Sequence, residues 1–77
     1  MTIIELSNIL KDMYENAKLD KVAMIHLFAI KYANEIRTNK ITPKEILSVA
    51  GMPASYFAEI NKGIKLAKYV EVKNQFR

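Results

Sequence analysis

Residues 42–63, TPKEILSVAGMPASYFAEINKG, decide how the chain folds. Thr42 is suited to cap a helix that begins at Pro43, because a threonine hydroxyl can accept an otherwise orphaned amide and proline tolerates the first helical position. Glu45, three residues after the cap, has the spacing of a capping box. Ile46, Leu47, Val49 and Ala50 then fall on one side at helical spacing, and Gly51 follows where a left-handed C-terminal residue is wanted. From Pro53 a second pattern opens, with Phe57, Ile60 and Ile64 three and four apart, the apolar stripe of an amphipathic helix. The pattern is helix, tight turn, helix, with Ala50-Gly51-Met52 at the junction.

This spacing resembles the helix-turn-helix family of DNA-binding domains. Relative to Gly51, that family keeps apolar residues five before, one before, one after, six after and nine after, and here these are Ile46, Ala50, Met52, Phe57 and Ile60. The resemblance implies two helices packed at a steep angle, with the outer face of the second free to enter a major groove. Glu59-Ile60-Asn61-Lys62-Gly63 is similar to the end of a recognition helix in the phage-repressor-like branch. Two positions depart from the pattern. Leu47 stands where the family prefers alanine and needs more room between the helices. Pro53 stands where it often has a capping Ser or Thr, so the cap is lost or shifts to the backbone. The match covers about a third of the 77 residues.

Length and composition bound the rest. A chain of 77 residues makes one domain, 1–77, and a domain of this size buries only about 60 % of its unfolded surface. With no cysteine and one histidine there is no disulfide framework, no thiolate zinc site and no histidine-based metal centre, so no cofactor is expected. Glu5 breaks the opening apolar run and no small-residue cleavage site follows, which argues against a signal peptide and for the cytoplasm. The longest apolar run, Val22 to Ile30, is interrupted by His26 and falls short of the ~20 residues that span a bilayer, so no membrane association is expected. The net charge of +4 is unevenly placed. Residues 1–36 hold four lysines against five acids, whereas residues 37–77 hold eight basic residues against three acids. The basic half is the half with the helix-turn-helix pattern, as an electrostatic footprint for phosphate would require. A solvated lysine-rich surface would produce the same count.

Thr2-Ile3-Ile4-Glu5 repeats the capping-box signature, and Ile3, Leu6, Leu10 and Met13 recur at three and four, predicting a helix over 3–17. Asp20 is a cap for a second helix over 21–37. It carries Val22, Ile25, Phe28, Ala29, Tyr32 and Ile36 on one face and Met24, Leu27 and Ile30 on the other, so it should be the spine of the domain, with part of its surface left for a second chain. Beyond Gly63 two outcomes stand open: residues 64–68 prolong the recognition helix through the glycine, or they form a separate turn. Tyr69-Val70-Glu71-Val72-Lys73 alternates with the period of a half-buried strand, whose only partner within the chain would be Lys40-Ile41-Thr42. That order of elements resembles a reduced winged-helix domain without its two-stranded wing. Residues 74–77 should fray. The expected architecture is an all-α, four-helix domain with a possible short C-terminal strand.

Nothing in the chain assembles into catalytic chemistry. His26 lacks a histidine, cysteine or carboxylate at ligand spacing and is read as a partly buried, hydrogen-bonded side chain. Ser7, Ser48 and Ser55 lack a nucleophile context, and two glycines cannot make a phosphate loop, so an enzyme is not expected. Tyr32 reads as core and Tyr14 as a helix edge. Tyr56, just before an expected buried Phe57, could touch phosphate or base or could simply pack at the edge. The candidate DNA-contacting set is Lys44, Ala54, Ser55, Tyr56, Glu59, Asn61, Lys62 and Lys65. Small residues near the start of the helix allow close approach to a groove, and Ser55 can bond a phosphate or base edge. The outer face holds neither arginine nor glutamine, so base discrimination would rest on Asn61, Ser55 and Glu59, the last toward a cytosine amino group, and specificity should be modest. These features suit a small transcriptional regulator or DNA-binding module, with duplex DNA as partner, acting as a homodimer through helix 2 or the C-terminal segment. The rival reading is a helical protein–protein interaction module, such as an accessory or inhibitor protein of a mobile element or phage.

Overall fold

The computed structural model describes residues 1–73, and the expected fraying of 74–77 lies outside them. Five α-helices follow in order: α1 (Ile3–Glu15), α2 (Lys21–Lys31), α3 (Ala33–Thr38), α4 (Pro43–Ala50) and α5 (Phe57–Leu66), with a 3₁₀ turn at Ala54–Tyr56 opening the last. The all-α class is as expected, with one helix more than the sequence predicts. No helix among the described residues is long and apolar enough to cross a membrane.

The helix starts follow the local chemistry. At α1 the capping box is closed both ways: the Glu5 amide donates to Thr2 Oγ1 at 3.1 Å and the Thr2 amide donates to Glu5 Oε1 at 2.9 Å. The Thr2 amide, and after it the Thr2 hydroxyl, favour the ionised carboxylate and hold the Glu5 carboxyl below its usual range. At α2 the Ala23 amide donates to Asp20 Oδ1 at 3.0 Å. At α4 the box is half made. Thr42 Oγ1 accepts from the Glu45 amide at 3.2 Å, while its hydroxyl donates to Glu45 Oε1 at 2.9 Å, so the glutamate binds the capping hydroxyl and not the backbone. Gly51 closes α4 at φ 70°, and an added Cβ would meet nothing within 4 Å. Conformation alone, not space, calls for glycine there.

The single helix expected over 21–37 is broken at Tyr32, whose backbone lies at φ −109°, ψ 16°. The bend begins a new helix in which Ala33 and Ile36 reach the core, both 2 % exposed. Neither proline nor glycine marks the break. Ile25, Phe28 and Ala29 of α2 are fully buried; Met24, Leu27 and Ile30 are half-buried and Val22 is more open, so the surplus apolar face is smaller than the sequence suggests. The core joins Leu6 and Leu10 of α1, Ile25 and Phe28 of α2, Ile36 of α3, Ile46 and Leu47 of α4 and Ile60 of α5. α5 packs chiefly on α2, and α4 chiefly on α1, which leaves room for the bulk of Leu47.

The expected C-terminal strand does not form among the described residues. The amides of Tyr69 and Val70 donate back to the Leu66 carbonyl at 2.8 and 3.0 Å, winding the chain on from α5. The intended partner has no free edge either. Lys40 sits at φ 53°, Ile41 N–H is bonded to the Ile36 carbonyl, and Thr42 is engaged as a cap. Lys40, Ile41, Tyr69 and Val70 thus spend their amides on the ends of the preceding helices, which a two-residue periodicity cannot reveal.

Candidate nucleic-acid interface

α5 continues through Gly63 to Leu66, so of the two outcomes left open the recognition helix is prolonged. The reason is packing. A Cβ at Gly63 would lie 2.4 Å from Ala29 Cβ and 2.8 Å from the His26 carbonyl oxygen, so α5 can lie this close to α2 only because position 63 has no side chain. The sequence did carry a signal for this, since Gly63 stands on the apolar stripe, three residues after Ile60.

Of the residues expected to pack the motif, Ile46, Ala50 and Ile60 are buried, Met52 is half-buried and Gly51 makes the turn. Phe57 departs: it is 40 % exposed at the first position of α5, with Lys44 Nζ 4.9 Å from its ring centroid. Tyr56 fills the inner position at this end instead, packing against the core. Its hydroxyl lies 2.9 Å from that of Tyr14, and the two rings are 5.6 Å apart. Of the two alternatives for Tyr56, edge packing therefore describes its ring. The bond to Tyr14, then partial burial, push its phenol above the usual range.

Glu59 is also not where the groove-facing reading put it. Its Oε1 lies 2.8 Å from His26 Nε2, joining α5 to α2, and its Oε2 lies 3.4 Å from Lys62 Nζ. The His26 hydrogen bond, aided by Lys62, holds the Glu59 carboxyl below its usual value. A carboxylate satisfied by an interhelical partner is not offered to a cytosine amino group. His26 is the partly buried, hydrogen-bonded histidine expected. No sequence signal links it to a carboxylate 33 positions away.

What remains on the outer surface is coherent. Ala54 and Ser55 are exposed on the 3₁₀ turn, with Pro53 capping through its carbonyl, which accepts from the Tyr56 amide at 3.2 Å. The loss of the side-chain cap at Pro53 is thus made good by backbone. Lys44, Lys62 and Lys65 are exposed around this turn and along α5, and Asn61 is half-buried. Lys62, with 63 % of its side chain open, makes a long contact to Glu59. Ala54 and Ser55 on the opening turn and Lys62 and Lys65 on α5 are exposed, Lys44 reaches the Phe57 ring, and Tyr56 and Glu59 are turned toward Tyr14 and His26.

Beside this edge lies a group the sequence did not announce. Lys21, at the start of α2, donates from Nζ to the Tyr14 carbonyl at 2.9 Å and lies 4.9 Å from the centre of the Tyr14 ring. Comparison with curated proteins and with solved structures finds no match. A family model described as an HTH-like domain does match, over residues 2–73, which takes in all five helices. The coverage, together with the α4–turn–α5 geometry, means that this protein belongs to the HTH-like domain family.

Proposed function

We propose that the protein is a small DNA-binding module of the transcriptional-regulator kind, presenting the N-terminal edge of α5 to the major groove. The observation that carries this reading is the bare edge at Ala54 and Ser55, with Lys44, Lys62 and Lys65 exposed on the two helices of the motif. Small side chains allow the backbone to approach base edges, and lysines neutralise phosphates. With Glu59 drawn toward His26, Ser55 and the half-buried Asn61 are left for base contacts, so discrimination between sequences is modest. The role is binding and not catalysis: the one histidine is engaged in joining two helices. With about four phosphate contacts, the logarithm of affinity for duplex DNA is expected to fall with the logarithm of salt at a slope near −3.6. Gel-shift titrations at several salt concentrations measure it, and absence of binding at low salt or a flat slope would sink the reading.

A second reading is favoured by a specific observation. Val49 and Phe57, 50 % and 40 % exposed, place apolar surface beside the same turn, as a protein-binding helical module would. Ser55→Ala combined with Lys62→Ala separates the two. A folded double variant that shifts DNA as wild type does would favour the protein partner.

The module acts as a homodimer in this reading, as a palindromic site needs a two-fold protein. Support comes from the surface where Ile30, Ala67, Val70 and Val72 line an open hollow together with Lys31 and Glu71. Opposite charges within one apolar patch can pair across a two-fold axis. Sedimentation should show a dimer at ~100 μM, a concentration well above a micromolar dissociation constant, and a monomer there would count against it.

A further inference from the structure

We propose that Tyr14, Tyr56 and Lys21 form a binding site for one phosphodiester of the DNA backbone, placed beside the opening turn of α5 and built mostly from helices outside the motif. The inference rests on the DNA-binding reading and adds to it a contact from α1 and α2.

The donor count makes the case. The hydroxyls of Tyr14 and Tyr56 are 2.9 Å apart, so one donates to the other. Each hydroxyl carries one proton, and the accepting tyrosine keeps its own to give elsewhere. The Lys21 ammonium has three N–H donors and uses one on the Tyr14 carbonyl at 2.9 Å, leaving two. Lying over the Tyr14 ring, it is held in place by the ring face as well as by that bond. Three unspent donors, two of them on the ammonium, thus belong to a pair of half-buried tyrosines and the exposed Lys21 beside them. Such a set matches the charge and acceptor oxygens of a phosphodiester.

Placement relative to the motif points the same way. Tyr56 ends the 3₁₀ turn and directly follows the exposed Ser55, so an anion at the tyrosine pair would lie next to the residues proposed to enter the groove. The nearest carboxylate in the chain to Lys21, that of Asp20, is turned into its own helix as the α2 cap. Glu15 is exposed at the end of α1.

The test is fluorescence anisotropy of a labelled random-sequence duplex titrated across a range of salt. The variants are Lys21→Gln, the double variant Tyr14→Phe with Tyr56→Phe, and Lys40→Gln as control. Lys40 is exposed in the turn between α3 and α4, outside the contacts of the tyrosine pair. Lys21→Gln should flatten the salt slope by about 0.9, whereas Lys40→Gln should leave it unchanged. The tyrosine double variant should weaken binding roughly three- to tenfold at constant slope, because it removes neutral donors and no charge. A purely structural tyrosine pair would change the melting temperature and leave the affinity of the folded protein alone. Equal slopes for both lysine variants, or wild-type affinity in a folded tyrosine double variant, overturn the site and leave the DNA reading standing. Failure of the wild-type protein to bind duplex at any salt overturns both.

Discussion

Gly63→Ala is expected to lower the thermal midpoint by roughly 8–16 °C, the shift that a net loss of about 2 kcal/mol produces in a domain of this size, about 3 from overpacking less about 1 from helix propensity. Alanine in place of glycine inside a helix ordinarily stabilises by about 1 kcal/mol. Here the added methyl would lie 2.4 Å from Ala29 Cβ and 2.8 Å from the His26 carbonyl, both on the same stretch of α2. One of these is backbone and the other is fixed to it, so no side-chain rotation relieves the overlap and the two helices must separate. Overpacking of this kind costs about 1–3 kcal/mol and occasionally more, and the rigid neighbours put this site at the upper end. A thermal scan that shows an unchanged or higher midpoint would show that α2 and α5 are not in this contact. The cause can be isolated by adding Ala29→Gly. The double variant should be less destabilised than the two single effects added together, by at least ~1 kcal/mol, although the His26 carbonyl still bars full recovery.

Phe28→Ala and Phe57→Ala should differ by at least about 2 kcal/mol, although both phenylalanines stand on apolar stripes in the sequence. Phe28 is fully buried in α2, with the Tyr32 ring 5.4 Å away. Truncating a buried phenylalanine to alanine costs about 3–5 kcal/mol, a large part of the 5–15 kcal/mol by which whole domains are stable. Phe57 is 40 % exposed, and one of its contacts is a lysine ammonium 4.9 Å from the ring, an interaction worth about 0.5–1 kcal/mol at an exposed site. Its removal should therefore cost roughly 1 kcal/mol, summing that contact and the part of its area removed from water. Urea unfolding of the two variants measures the difference. Equal midpoints would mean that Phe57, and not Tyr56, fills the interior at the start of α5.

How far the fold could be read from the chain depends on the reach of each interaction. Thr2, Asp20 and Thr42 cap helices because their partners stand three residues away, so the chemistry is complete within one turn. Gly51 could be assigned its left-handed backbone for a similar reason: helix end and turn are both local. Ile46, Ala50 and Ile60 are buried as expected because a helix-turn-helix is itself a short-range object. The alternation at residues 69–73 misled because a strand depends on a partner. The amides of Lys40, Ile41, Tyr69 and Val70 are already committed to the helices before them.

The candidate site divides along the same line. The sequence by itself determined which residue types surround the turn: small at Ala54 and Ser55, basic at Lys44, Lys62 and Lys65. It also determined the all-α class and the position of the motif. Only the tertiary structure decided that Tyr56 turns in toward Tyr14 while Phe57 stays at the surface, that Glu59 is taken by His26, and that Lys21 joins the edge of the motif. It also decided that Gly63 is a point of helix contact and that the second helix bends at Tyr32. The physical reason is one of distance along the chain. Tyr14 and Tyr56 are 42 residues apart, and His26 and Glu59 are 33 apart. Periodicity orients a side chain about its own helix, but the partner it meets depends on how α5 lies across α2 and α1, which is set by the packing of the whole core.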